Sequence, residues 1–224
     1  SNDFVMQAGI LAAAGIICRL IGLIYRIPLA DILTDEGNGY YSTAYNIYTI
    51  VLLLASYSIP SAISKLMAGK LEQKEYRNAQ RIFYCALMYV GTVGLIASLF
   101  LFFGADFLLE GKAALVLRAF APTVLIYGFL GVLRGYFQAH KSMVQTSVSQ
   151  IFEQILNAAV SVGAAYYFMQ IFESPEYGAI GSALGTMAGG ITALFVMLWA
   201  YMIIRGLIKK RIQRDKANVL DSYG

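Results

Sequence analysis

The sequence predicts an all-α, polytopic membrane protein built as a bundle of six transmembrane helices. Three observations predict it. Of 224 residues, 58% are hydrophobic and 13% charged, whereas soluble domains carry about 25% charged residues and no more than about half apolar ones. The mean hydropathy is +0.63. Six apolar segments are long enough to cross about 30 Å of hydrocarbon at 1.5 Å per residue, near residues 5–30, 41–69, 79–104, 114–138, 145–171 and 178–207.

The first segment holds the most costly residues of the chain, Arg19 and Arg26. A guanidinium at helix-centre depth costs roughly 2.5–3.5 kcal/mol even on the mild insertion scale. Seven residues are two helical turns, so both side chains project from one face, about 10 Å apart along the axis. Such a face belongs to a protein interior or a watery cavity and suits an anionic ligand. Cys18 in this segment and Cys85 in the third read as small apolar-like residues, with neither a disulfide framework nor metal-ligand spacing.

In the second segment Tyr40, Tyr41, Tyr45, Tyr48 and Asn46 precede Pro60. The tyrosines near its start suit an interfacial aromatic belt, and Pro60 invites a kink. Pro122 does the same in the fourth segment, whose flanking Arg118 and Arg134 are expected to snorkel to the outer and inner interfaces. His140, the single histidine, falls in a polar turn and reads as a solvated loop residue.

The fifth segment is marked by a polar stripe: Thr146, Ser149, Gln150, Glu153, Gln154, Asn157 and Ser161. Glu153 is the one acidic residue well inside a span and is expected to pair with Arg19 or Arg26 or to titrate during transport, unless the stripe is static interhelical glue. The sixth segment carries Gly181, Gly185 and Gly189 at four-residue spacing, which favours close helix packing over a ligand role.

Charge in the connections sets an expected orientation. Lys70, Lys74 and Arg77, then Lys141, then Lys209, Lys210, Arg211, Arg214 and Lys216 mark one side, while the other connections are acidic apart from Lys112. The positive-inside rule puts both termini in the cytoplasm. The net charge of +4 is thus topological, with a basic tail over 209–224 near anionic headgroups and no nucleic acid implied. Residues 1–3 read as a tag remnant, with residues 4–208 as the membrane lobe and no cleavable signal peptide expected.

Membrane catalysis is not expected. Neither a histidine nor a pair of aspartates lies inside a predicted span, and neither HExxH nor GxxxxGK[ST] occurs.

Several strings resemble the stage V sporulation protein B group: Cys18-Arg-Leu-Ile-Gly-Leu-Ile-Tyr-Arg-Ile-Pro-Leu-Ala30, Glu36-Gly-Asn-Gly-Tyr-Tyr-Ser-Thr-Ala-Tyr-Asn-Ile-Tyr48, Ile59-Pro-Ser-Ala-Ile-Ser-Lys-Leu66, Leu133-Arg-Gly-Tyr-Phe-Gln138 and Ser149-Gln-Ile-Phe-Glu-Gln154. This group belongs to the multidrug/oligosaccharidyl-lipid/polysaccharide (MOP) exporter superfamily, as do the MurJ-type lipid II flippases. The resemblance implies one lobe of a two-lobe transporter that moves undecaprenyl-pyrophosphate-linked glycans outward by alternating access. It places Arg19 and Arg26 in the substrate cavity; from their own polarity inside apolar spans, Glu153, Asn157, Gln150, Asn46 and Tyr45 are the further cavity or coupling candidates. The implied partners are the lipid-linked oligosaccharide, the bilayer of the bacterial cytoplasmic membrane and a C-terminal lobe of the same protein. No cofactor is implied beyond a coupling cation, H+ or Na+. The competing readings are a cation-coupled multidrug exporter of the same superfamily and a noncatalytic membrane scaffold.

Overall fold

A computed structural model of the chain describes residues 2–56 and 58–213, and among them every regular element is helical. Among the described residues five helical stretches are long and apolar enough to cross a membrane, the first being a bent run over Asn2–Glu72. The protein is an all-α polytopic membrane bundle.

The bent run contains α1 (Asn2–Ser56) and α2 (Ile59–Glu72). Helix α1 is two arms joined at Thr34, whose φ of 65° and ψ of 175° interrupt the helix. Asn38 spans the bend by donating from Nδ2 to the carbonyls of Ala30 (3.0 Å) and Thr34 (2.7 Å). The Ala30 carbonyl is among the last of the first arm, which a helix end leaves without intrahelical partners. Asp35 and Glu36 then open the second arm, where negative charge suits the helix dipole. Residues 34–39, expected as a connection, are therefore helical around a single-residue corner. The expected segment 41–69 also differs: α1 ends at Ser56 and α2 starts afresh with Pro60 in its first turn. Proline is tolerated there because the first-turn N–H has no intrahelical partner to lose.

The chain continues through α3 (Tyr76–Phe103), the single turn α4 (Ala105–Leu108), α5 (Lys112–Ala139), α6 (Val144–Phe172) and α7 (Pro175–Gln213). Residues 209–213 of the expected tail extend α7, and residues 214–224 lie outside the described residues.

Helix α5 is the axis of the bundle. Its buried residues run along its whole length and around its circumference, the pattern of a helix packed on all sides. Glycine lets its neighbours close in: a Cβ at Gly135 would lie 2.8 Å from the Pro60 carbonyl oxygen, and one at Gly128 would lie 3.3 Å from Val90 Cβ. Thus α2 and α3 both press against α5.

The closest crossing is between α6 and α7. A Cβ at Gly181 would meet Ala165 N at 2.7 Å, one at Gly185 Ser161 N at 2.6 Å, and one at Gly189 the Glu153 carbonyl at 2.6 Å. The small-residue stripe is a packing seam, because dispersion between near-touching backbones replaces the hydrophobic drive that lipid removes.

Large apolar side chains cover the outside, among them Ile24, Ile27, Phe107 and Trp199. A water-soluble surface rarely carries so much exposed apolar area, whereas lipid accepts it.

Candidate substrate cavity

A cavity of about 580 Å³ opens between both arms of α1 and the faces of α5, α6 and α7. The first arm contributes Cys18, Arg19, Gly22, Leu23, Tyr25 and Arg26. Positions 19, 22, 23 and 26 follow helical spacing, so one stripe of the arm faces the cavity. The second arm contributes Tyr41, Tyr45, Tyr48, Thr49 and Leu52, again on one face. Tyr127 comes from α5, Glu153, Gln154 and Asn157 from α6, and Thr186 from α7. The corner at Thr34 creates the space, since it folds the second arm back to face the first.

The electrostatics differ from the sequence expectation. Glu153 pairs with Arg134 of α5, Nη2 to Oε1 at 3.3 Å, and both side chains are nearly buried, 14% and 12% exposed. Arg134 also donates from Nε to Ser149 Oγ at 3.2 Å, and that hydroxyl donates onward to the Thr146 carbonyl at 2.7 Å. Arg134 is thus an interior residue and does not snorkel to an interface. A buried carboxylate needs both a counter-charge and hydrogen bonds, and Arg134 sits closer to Glu153 than the first arm does. Among the described residues no carboxylate lies within ion-pair distance of Arg19 or Arg26. Both arginines are solvent- or ligand-accessible on the cavity wall.

Of the residues expected to gather here, Arg19, Arg26, Glu153, Asn157 and Tyr45 line one cavity. Gln150 and Asn46 are not among its lining residues. Asn46 is exposed, and its carbonyl accepts the Thr49 hydroxyl at 2.9 Å. One turn from Glu153 on the polar stripe, Asn157 takes the Ser161 hydroxyl on Oδ1 at 2.8 Å, and Ser161 also reaches the Ser182 carbonyl at 3.2 Å.

Arg118 binds Asp106 and donates from Nε to the Phe102 carbonyl at 3.2 Å, tying the start of α5 to the α3–α4 corner. One further expectation changes. His140 is half-buried, with Nδ1 at 2.9 Å from the Tyr136 carbonyl oxygen and its ring 4.6 Å from that of Tyr136. It packs onto the end of α5.

Tyr25, Tyr127 and Thr186 are lining residues that the sequence does not mark. Their sequence neighbours do not set them apart, and only the packing of five helical faces brings them together. Tyr41 and Tyr48 belong to the wall and not to an interfacial belt. The result is a polar chamber within an apolar bundle, lined by two cationic forks, aromatic rings, amides and hydroxyls. Planar guanidinium groups bind phosphate oxygens two at a time, and such charge-assisted bonds are strong where water is scarce.

Comparison with known proteins agrees with this architecture. A family model described as polysaccharide biosynthesis protein matches residues 4–223. The chain belongs to the polysaccharide biosynthesis protein family. Among similar members, stage V sporulation protein B of Bacillus subtilis (strain 168) is 32% identical over 220 residues, covering 96% of this chain and 41% of that protein. The lipid II flippase MurJ of the same strain is 26% identical over 213 residues, covering 88% and 39%. The uncharacterized membrane protein YabM, also from that strain, is 28% identical over 194 residues, covering 85% and 36%. This polysaccharide biosynthesis family member therefore spans about two-fifths of the length of its curated relatives. No solved structure matches it.

Proposed function

We propose that this chain is the N-terminal lobe of a flippase that carries an undecaprenyl-pyrophosphate-linked glycan from the inner to the outer leaflet of the bacterial cytoplasmic membrane. The observation that carries the reading is the charge balance of the cavity. Glu153 is neutralised by Arg134, whereas Arg19 and Arg26 face the chamber with no carboxylate within ion-pair distance among the described residues. The wall is left positive, which suits a pyrophosphate and opposes the cationic substrates of a drug exporter.

A polar headgroup cannot cross lipid unaided, so it travels in the chamber while the prenyl chain stays among apolar helices. Both termini lie in the cytoplasm, which puts Arg19 past mid-bilayer and Arg26 nearer the outer face. A second lobe closes the other side of the chamber, and rocking of one lobe against the other alternates access. Transport of this kind needs no covalent step. The glycan-lipid class follows from family membership and from the relative named as a lipid II flippase.

The test is outward exposure of the lipid-linked glycan in cells that depend on the full-length parent protein. Arg19→Ala and Arg26→Ala are expected to abolish or strongly reduce exposure. Normal exposure with both arginines removed overturns the reading.

A further inference from the structure

The second arm of α1 gives the cavity an aromatic wall. Tyr41, Tyr45 and Tyr48 stand at i, i+4 and i+7 on the second arm of α1, on one helical face. Their rings are held by one another and by Phe120 of α5. Tyr41 and Tyr45 are 5.7 Å apart with planes within 16°, and Tyr48 stacks on Phe120 at 4.7 Å and 15°. Tyr45 also meets Phe120 edge-on at 5.9 Å. Packing against Phe120 distinguishes these rings from an interfacial belt, whose members face headgroups. Rings fixed in advance lose little conformational freedom when a ligand arrives.

Planar amides and hydroxyls border the rings. Asn157 accepts Ser161 on Oδ1, and Asn157 and Thr186 bring an amide and a hydroxyl to the same cavity. A pyranose presents an apolar C–H face and a rim of hydroxyl or acetamido groups. Flat aromatic carbon flanked by donors and acceptors complements both. Aromatic walls also attract cations, but the two guanidinium groups in the same chamber oppose one.

We propose that the Tyr41–Tyr45 face, backed by the buried Tyr48, is a saccharide subsite that holds the first sugar of the lipid-linked glycan while Arg19 and Arg26 hold its pyrophosphate. This rests on the flippase reading and assigns the half of the cavity that the pyrophosphate does not use. The first sugar is bonded directly to the phosphate, so both halves of the headgroup fit one chamber. Selection of a glycosylated carrier over the bare carrier then occurs on this wall.

The test uses the full-length parent protein in nanodiscs. Its affinity is measured for undecaprenyl pyrophosphate and for the same lipid bearing a single N-acetylhexosamine. The wild type should favour the sugar-bearing lipid. Tyr45→Leu, which keeps apolar bulk but removes the ring face, should cut the ratio of the two affinities by about fivefold, the order expected for one aromatic contact. Tyr45→Phe keeps the ring face and should keep the ratio, and Tyr41→Leu provides a second lesion on the same wall. A ratio unchanged in both leucine variants overturns the subsite, including the case where both lipids weaken equally. Wild-type protein that binds neither lipid overturns the flippase reading itself, and the subsite with it.

Discussion

The Arg134 guanidinium lies 3.3 Å from the Glu153 carboxylate, joining α5 to α6 beside the cavity with both side chains nearly buried. The pair cancels the acidic charge of the polar stripe, and among the described residues Arg19 and Arg26 on the cavity wall have no carboxylate within ion-pair distance. Removing one member of a buried pair strands the other charge and typically costs about 3–5 kcal/mol. Arg134→Met and Glu153→Leu should each lower the thermal unfolding temperature of the full-length protein in detergent. The double variant should recover much of the loss. Strictly additive losses would show that the two residues are not coupled.

Thr34 makes the corner that places one arm of α1 against the other. Its backbone, φ 65° and ψ 175°, lies in a region that is essentially restricted to glycine and costs about 1–3 kcal/mol for other residues. Thr34→Gly should therefore stabilise the protein by about 1 kcal/mol. Asn38→Ala should destabilise it by a similar amount, because the Ala30 and Thr34 carbonyls lose their donor. Equilibrium unfolding in mixed micelles checks both signs.

The α6–α7 seam should be intolerant at Gly185, where a Cβ would sit 1.9 Å from Ser161 Oγ and 2.6 Å from Ser161 N. Gly185→Ala must push the helices apart and should cost about 1–3 kcal/mol. It should also disturb Asn157, which Ser161 holds on the cavity wall. Gly15→Ala meets nothing within 4 Å and serves as the neutral comparison in the same unfolding assay.

Orientation is open to direct labelling. With Cys18 and Cys85 replaced by serine, a cysteine placed at Lys141 should react with a membrane-impermeant maleimide only from the cytoplasmic side. One placed at Glu110 should react only from outside. Both positions are exposed at helix ends. The reverse pattern would contradict the positive-inside assignment.

The membrane class and the polar stripe of α6 were legible because lipid penalises polar and charged residues, so each one inside an apolar run carries information. The partner of Glu153 was not legible, since Arg134 sits near the end of an apolar run and snorkelling explains that position equally well. Only the azimuth of α5 against α6 decides between the two. The Thr34 corner was hidden for a local reason: residues 34–39 have turn composition, yet Asn38 lets the helix resume after one residue. Tyr25 and Tyr127 show the same limit for the cavity wall, where five separate helical faces must be placed before single tyrosines become neighbours.

The most direct test of the cationic chamber is the binding of undecaprenyl pyrophosphate to the full-length protein in nanodiscs, across a range of salt. Wild-type affinity should fall as salt rises, because charge dominates the contact. The Arg19→Ala/Arg26→Ala double variant should bind at least about tenfold more weakly, roughly 1.4 kcal/mol, with a flatter salt dependence. Equal affinity and equal salt dependence in the two proteins would contradict the account.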